Sequence, residues 1–493
     1  MESPTTSNTQ KVVKGISSQT LVTIVLGVVE IISFSIMSRL LTKQDFGYYA
    51  AITAVVAIFS CFSDAGIGSA IIQRKELNKR YIYNAFTLSL IFGGVVSLAL
   101  FFSAGLLAKY ITDESMTIPL RLMSLTLLLQ CMNSVNVSIM YRRLEFLRVG
   151  MINLFALVVT TIVAVVLALR GYGYYAIIAK VVITSILTLC LSSYFAKTKY
   201  GFALDLKTFR QIFGFSGWLM ASGLFRNLAH DIDKLLMSRL LSVASLGAYN
   251  RPKDFIGQIS GKLNGIFDTA LFPVLSSIQS DNERLGKAFS RSLYFMNVFA
   301  MLLTIAFVVN SELLIRVFFG EKWMDLKYIT MVLSFLMLFN IDGRLADCFL
   351  RSLALTKQQF FFRILETIVT LMGVFIGAYW DIMGVAIGVV VTNAVLKILK
   401  IVYVAYKINI PASAVIREIV SSWRFTLVLV PLCMVGYVVF PNTLIGNIVL
   451  LILFTILCGI IFLGIPSVVG ELYKTEAYIK VMSYCKRMLN RII

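Results

Sequence analysis

The chain has 493 residues, 58% of them hydrophobic and only 14% charged, against roughly 45 to 50% apolar and about 25% charged in a soluble domain. A composition this apolar requires a membrane-embedded protein, and about fourteen spans of about 20 residues each leave no room for a soluble catalytic domain. The formal net charge of +20 then bears on which side of the bilayer holds the basic residues and carries no implication of nucleic acid.

In chain order, apolar runs bounded by charges or turn residues predict spans near 16–38, 47–72, 82–108, 117–140, 149–169 and 174–195. A second set follows near 213–241, 253–278, 290–310, 328–350, 360–379 and 382–404, and two more lie near 424–440 and 444–466. The expected fold is an all-α polytopic membrane protein with about 14 transmembrane helices. Basic residues such as Arg74, Lys75, Arg142, Arg143, Lys197, Lys199, Lys400 and Lys407 concentrate in every second loop, which places both termini in the cytoplasm. The polar first residues lead into a span too long for a signal-peptide core, so the N-terminus stays inside.

The chain repeats itself. Met37, Ser38, Arg39, Leu40 and Leu41 recur as Met237, Ser238, Arg239, Leu240 and Leu241, and Gly47 and Tyr49 recur as Gly247 and Tyr249. Six spans per copy return the chain to its starting side, so the two copies share one orientation about an axis along the membrane normal. The organisation expected is an N-terminal lobe over 1–200, a C-terminal lobe over 201–410, two further helices over 411–470 and a basic amphipathic cytoplasmic tail over 471–493. Two facing six-helix lobes with a central cavity are the architecture of a transporter.

Charges inside the predicted spans carry the functional signal. Each costs roughly 2.5 to 3.5 kcal/mol if it faces lipid, so these residues must pair or line water. In the seventh span Asn227, Asp231 and Lys234 share a face beside Arg226, His230 and Asp233; in the eighth Arg251, Asp254, Gln258 and Lys262 do the same, alongside Lys253. Gly257, Gly261 and Gly265 form a small-residue stripe expected to receive another helix. With Lys180 and Arg344, the bases Arg226, Lys234, Arg251, Lys253 and Lys262 are candidates to hold an anionic substrate. Glu30, Asp64, Asp231, Asp233 and Asp254 are candidates for coupling transport to a cation, and Asp342 and Asp347 are possible partners for Lys262. The bland alternative for any of these residues is a salt bridge within the bundle. Tyr48, Tyr49, Tyr174, Tyr175 and Trp323 read as interfacial belt residues. The seven cysteines show no metal-ligand spacing and read as small core residues, and no bound cofactor or metal is expected. No nucleotide-binding motif is present to drive a pump.

Five segments then carry a resemblance: SRLLTKQDFGYYAAI from Ser38, DAGIGSAIIQRKEL from Asp64, HDIDKLLMSRLLSVASLGAYNRP from His230, FPVLSSIQSDNERL from Phe272 and FGEKW from Phe319. Together they are similar to bacterial polysaccharide transporters of the multidrug/oligosaccharidyl-lipid/polysaccharide exporter superfamily, nearest the colanic-acid and teichuronic-acid exporter branch. The HDID sequence departs from the single aspartate expected there, leaving both Asp231 and Asp233 as the family position. The resemblance implies a non-enzymatic flippase of the bacterial inner membrane. It would move undecaprenyl-diphosphate-linked oligosaccharide units by alternating access, coupled to H+ or Na+, for O-antigen, capsule or exopolysaccharide synthesis, beside a polysaccharide polymerase and other assembly proteins. The cationic candidates above would meet the diphosphate. Two other readings compete. One is a drug/cation antiporter of the same superfamily, whose cavity would favour acids and aromatics, and the other is a membrane transferase using Asp231 and Asp233.

Overall fold

The computed structural model describes residues 4–63, 67–73, 78–111, 113–198, 201–203, 205, 223–225, 227–228, 230–279 and 281–422. Among them there is no strand. Asp64 and Arg226, the last two predicted spans and the basic tail lie outside the described residues.

The helices are α1 (Pro4–Leu40), α2 (Lys43–Ser63), α3 (Ile67–Gln73), α4 (Lys79–Ile111), α5 (Thr117–Arg142), α6 (Phe146–Leu169) and α7 (Tyr175–Ala196). There follow α8 (230–240), α9 (Val243–Ser277), α10 (Asn282–Val309), α11 (Ser311–Leu314), α12 (Lys327–Ser352), α13 (Thr356–Gly377), α14 (Asp381–Lys407) and α15 (Ala412–Ser422). Eight segments of the described residues are long and apolar enough to cross a bilayer. Their outer faces carry exposed apolar side chains such as Phe102 at 76% and Leu106 at 66%, the surface expected against lipid. Cys61, Cys131 and Cys348 are buried as expected, whereas Cys190 is exposed on α7.

Contacts divide the chain into two compact units, one of Met1–Arg251 with Arg363–Val385 and the other of Pro252–Phe362 with Ala386–Ile493. In the first unit α4 packs on α5, α5 on α7, and α6 on both α1 and α7. In the second, α10 packs on α12 and α15, and one core joins Leu285, Phe289 and Met296 to Leu345, Phe349, Ile401, Val404 and Val415.

The duplication reaches local structure. At the start of α2, Thr42 and Asp45 cap each other: Asp45 N–H donates to the Thr42 hydroxyl (3.2 Å) and Thr42 N–H donates to the Asp45 carboxylate (2.9 Å). At the equivalent start of α9, Ser245 N–H donates to the Ser242 hydroxyl at 3.1 Å. The ends of α5 and α12 also match, with a left-handed residue at Leu144 (φ 59°) and Ala354 (φ 56°). In each, the next amide closes onto a carbonyl five residues back, Glu145 to Met140 and Leu355 to Leu350.

The same two helix starts then meet. A Cβ built on Gly47 lands on the carbonyl oxygen of Val243, and one built on Gly247 lands on that of Lys43. Exchanging the two copies maps this contact onto itself, which is the property of a two-fold axis.

Candidate functional site

In the first unit the polar interior is built from α1, α2, α7, α8 and the start of α9. Arg251 is buried, and its guanidinium donates to the Ser38 hydroxyl (Nε 2.9 Å, Nη2 2.6 Å) and to the Phe34 carbonyl (2.7 Å). It lies 3.3 Å from the Phe34 ring centroid and 3.9 Å from that of Phe46, so two aromatic rings flank a charge whose donors α1 uses. Only a planar, weakly hydrated guanidinium fits this slot.

Asp233 is 1% exposed and accepts a 2.6 Å bond from the Tyr249 hydroxyl and a 2.9 Å bond from the Lys234 amide. Asp231, on the other face of α8, pairs with the Lys234 ammonium at 2.9 Å and with exposed His230 at 3.0 Å. The two aspartates of HDID therefore do separate jobs: Asp233 ties α8 to α9, and Asp231 accompanies a buried lysine. Upstream, the Asn227 amide donates to the Ala57 carbonyl at 3.0 Å and anchors this segment on α2.

Lys180 donates to Ser33 at 2.5 Å, and the charges acting on it are those of Arg251 and Glu30, one repulsive and one attractive. Thr161 also donates to Ser33, at 3.0 Å, and Thr184 to Thr160 at 3.0 Å, so a stripe of hydroxyls runs between α1, α6 and α7 beside Lys180. Glu30, Lys180, Lys234 and Arg251 thus belong to one unit.

The second unit holds the other candidates. Lys253, Asp254, Lys262 and Arg344 are half-buried. Asp347 pairs with Lys400 at 3.1 Å, and Lys400 is 0% exposed. Asp342 is buried and accepts a 3.0 Å bond from Asn297. Lys397, also buried, runs its stem along α12, where a Cβ on Gly343 would meet Lys397 Cε at 3.0 Å.

Three expectations need correction. Lys400 belongs to no loop: α14 continues to Lys407, because the left-handed stop comes only at Asn409 (φ 59°). Lys397 and Lys400, one turn apart, form a buried pair on α14. Trp323 is 0% exposed and packs against Phe319 at 6.2 Å, so it is a core residue and not part of a belt. Among the described residues the stripe Gly257, Gly261 and Gly265 receives no helix, since a Cβ built at each meets none of their atoms within 4 Å.

At the other end of the first unit, the Tyr48 hydroxyl donates to Asp113 at 2.8 Å, Tyr174 stacks near Tyr48 (4.9 Å) and Tyr175 (4.7 Å), and the Tyr174 amide donates to Asp45 at 2.9 Å. These tyrosines knit three chain segments together as well as sitting near an interface. Burial pushes the Asp113 carboxyl up, but hydrogen bonds from Ser115 and Tyr48 outweigh it and hold it below the usual carboxylate value.

Residues 36–328 match the model of a family described as polysaccharide biosynthesis protein. The chain belongs to this family. It is 24% identical over 433 residues to the lipopolysaccharide biosynthesis protein WzxC of Escherichia coli K12, covering 87% of each chain. It is 22% identical over 332 residues to the teichuronic acid biosynthesis protein TuaB of Bacillus subtilis 168, covering 64% of this chain and 66% of that one. Among solved structures, the lipid II flippase MurJ in an inward closed conformation superimposes with a TM-score of 0.68 at 14% identity, over 90% of this chain and 98% of that one. An inward-facing MATE transporter superimposes with a TM-score of 0.63 at 14% identity, over 80% and 99%. The fold is that of these two transporters.

Proposed function

We propose that this protein is a flippase of the bacterial inner membrane. It carries undecaprenyl-diphosphate-linked oligosaccharide repeat units from the inner to the outer leaflet by alternating access, driven by an H+ or Na+ gradient, for surface polysaccharide synthesis. The observation that carries this reading is the base set, buried Lys234 and Arg251 with half-buried Lys180 in one unit, and buried Lys397 and Lys400 with half-buried Lys253, Lys262 and Arg344 in the other. A diphosphate headgroup requires cations in a sheltered, hydrated space, while its lipid tail can remain in the bilayer. The match to WzxC over 87% of the chain supports the substrate class.

Within this reading the bases have different tasks. Arg251 is held by α1 and organises the site, whereas Lys180, Lys262 and Arg344, on α7, α9 and α12, reach the substrate. Lys253, at the start of the eighth predicted span, and Arg226, within the seventh, extend the same set. Glu30, Asp64, Asp231, Asp233 and Asp254 remain the coupling candidates, with Asp231 favoured over Asp233 because it keeps partial exposure, 15%, beside Lys234. The lobes at 1–200 and 201–410 are the moving bodies, with both termini cytoplasmic. The drug/cation antiporter reading rests on fold alone.

Mass spectrometry of lipid-linked intermediates in a deletion strain tests the substrate class. Undecaprenyl-diphosphate oligosaccharide should accumulate on the cytoplasmic side and clear on complementation by wild type but not by Lys262→Ala at equal protein level. Unchanged lipid intermediates together with altered drug sensitivity would establish the antiporter instead.

A further inference from the structure

A polar pocket of about 480 Å³ opens in the second unit where the first turns of α10 meet the turn that follows α14. Asn282, Lys287, Ser290 and Arg291 line one side, and Asn409 and Ile410 the other. Its electrostatics are unbalanced. Lys287 is neutralised by Glu283 at 2.5 Å, and nearby Arg284 by Asp281 at 3.1 Å. Arg291 is exposed and makes no ion pair or hydrogen bond among the described residues. The pocket therefore presents one uncompensated guanidinium, ringed by the hydroxyl of Ser290 and the amides of Asn282 and Asn409. Its polar part also holds the carboxylate of Glu283, which Lys287 pairs, so the lining keeps a net charge of one base, that of Arg291.

Its depth in the bilayer follows from the sequence of α10. After Arg291 no charged residue occurs until Glu312. The intervening helix, 292–309, rises about 27 Å, close to the hydrocarbon thickness of about 30 Å. Arg291 thus stands at headgroup level, on the side that the basic-residue excess assigns to the cytoplasm. The neighbouring elements mark the same boundary. Tyr406 is 71% exposed, and the Lys407 ammonium lies 5.7 Å from the Tyr403 ring centroid, the aromatic and basic pairing of a membrane interface. Helix α15 buries Val415 against α10 and leaves Ile416 and Val420 each 59% exposed, one turn apart. An apolar pair facing outward on a short helix at this level is suited to lie among lipid chains.

We propose that this pocket binds the phosphodiester headgroup of an anionic phospholipid of the cytoplasmic leaflet. Arg291 takes the phosphate, Ser290, Asn282 and Asn409 donate around it, and the acyl chains lie along the exposed faces of α14 and α15. A single unpaired base matches a singly charged phosphodiester. A diphosphate demands the denser base set of the interior, so this site is separate from the substrate path. A basic pocket between helices at the cytoplasmic interface is the setting in which anionic headgroups are held. Gly286 forms part of the floor: a Cβ there lies 3.7 Å from Ile410 Cδ1, so a larger side chain fills the pocket without touching a charge.

The test is native mass spectrometry of the full chain in detergent titrated with phosphatidylglycerol or phosphatidylcholine, paired with thermal melts. Wild type should retain one phosphatidylglycerol in preference to phosphatidylcholine. Arg291→Ala and Gly286→Leu should each weaken that retention at least about tenfold, Arg291→Lys should keep part of it, and Lys357→Ala, an exposed base outside the pocket, should keep all of it. Melting temperatures near wild type for Arg291→Ala confirm that the loss is one of binding. Equal retention by wild type and Arg291→Ala overturns the proposal. So does competition by inorganic phosphate at concentrations comparable to the lipid, which would make this a site for a soluble anion. Preference for the zwitterionic lipid overturns it as well.

Discussion

Gly47 and Gly247 occupy equivalent places in the two sequence copies and fit into each other's helix starts, each one against the carbonyl of the residue that is the counterpart of its own partner's neighbour: Gly47 against Val243, Gly247 against Lys43. The first prediction rests on that reciprocity. Gly47→Ala and Gly247→Ala should each destabilise this packing by about 1 to 3 kcal/mol, because the collision is with rigid backbone. The two losses should be similar, and the double variant should cost less than their sum, since one separation relieves both clashes. Melting of the purified single and double variants checks this; a strongly unequal pair of losses would mean that the contact is not shared.

Lys400→Ala should destabilise the protein by about 3 to 5 kcal/mol, because it strands Asp347, which is 3% exposed. Lys400→Met with Asp347→Leu should recover most of the loss. If export also returns in the double variant, the pair is structural; if stability returns without export, Lys400 serves the transport path. Measuring protein level, melting and polysaccharide export on the same three strains separates these outcomes.

Arg251→Lys keeps the charge but loses the planar fork between Phe34 and Phe46 and at least one bond to Ser38. The expected cost is about 1 to 3 kcal/mol, read as a lower melting temperature. A lysine variant as stable as wild type would show that charge alone is needed there.

Tyr249→Phe removes the hydroxyl that donates to buried Asp233. It should cost about 1 to 3 kcal/mol, and much less in an Asp233→Asn background, because the carboxylate left without its donor is the source of the penalty. A double-mutant cycle on melting free energies measures the coupling.

Asp113 gives a pH signature. Its carboxyl is held below the ordinary value by Ser115 and Tyr48 despite burial. The stability it contributes is therefore present above its unfolded value of about 3.9 and lost as pH falls through the folded value. Asp113→Asn should lower the melting temperature at pH 7, and the gap to wild type should close as pH is taken below about 4. A gap that persists in acid would assign the effect to shape and not to charge.

The membrane class, the helical fold and the duplication were all legible in the sequence, since burying so many apolar residues in spans leaves little freedom and the MSRLL repeat sits at helix ends that chain-wide spacing constrains. What a charge pairs with was not legible. Asp342 and Asp347 meet Asn297 and Lys400, which lie 45 and 53 residues away in sequence, and no local pattern names either partner. Lys400 reads as a loop base by its charge although the apolar run 382–404 already contains it, and α14 carries it well inside the helix. The three glycines of α9 show the same limit from another side, because a small-residue stripe states what a helix permits and not whether a neighbour arrives.

The reciprocal glycine contact also constrains how such a chain can change over generations. In a single-repeat ancestor pairing with itself, one codon would set both halves of the seam, and a side chain gained there would strike twice. Once the repeats are joined in one gene the halves drift apart, and the caps already have, with Thr42 and Asp45 in one copy and Ser242 and Ser245 in the other. The two glycines have no such liberty, because each is confined by the other's backbone, and backbone cannot be traded for a smaller residue.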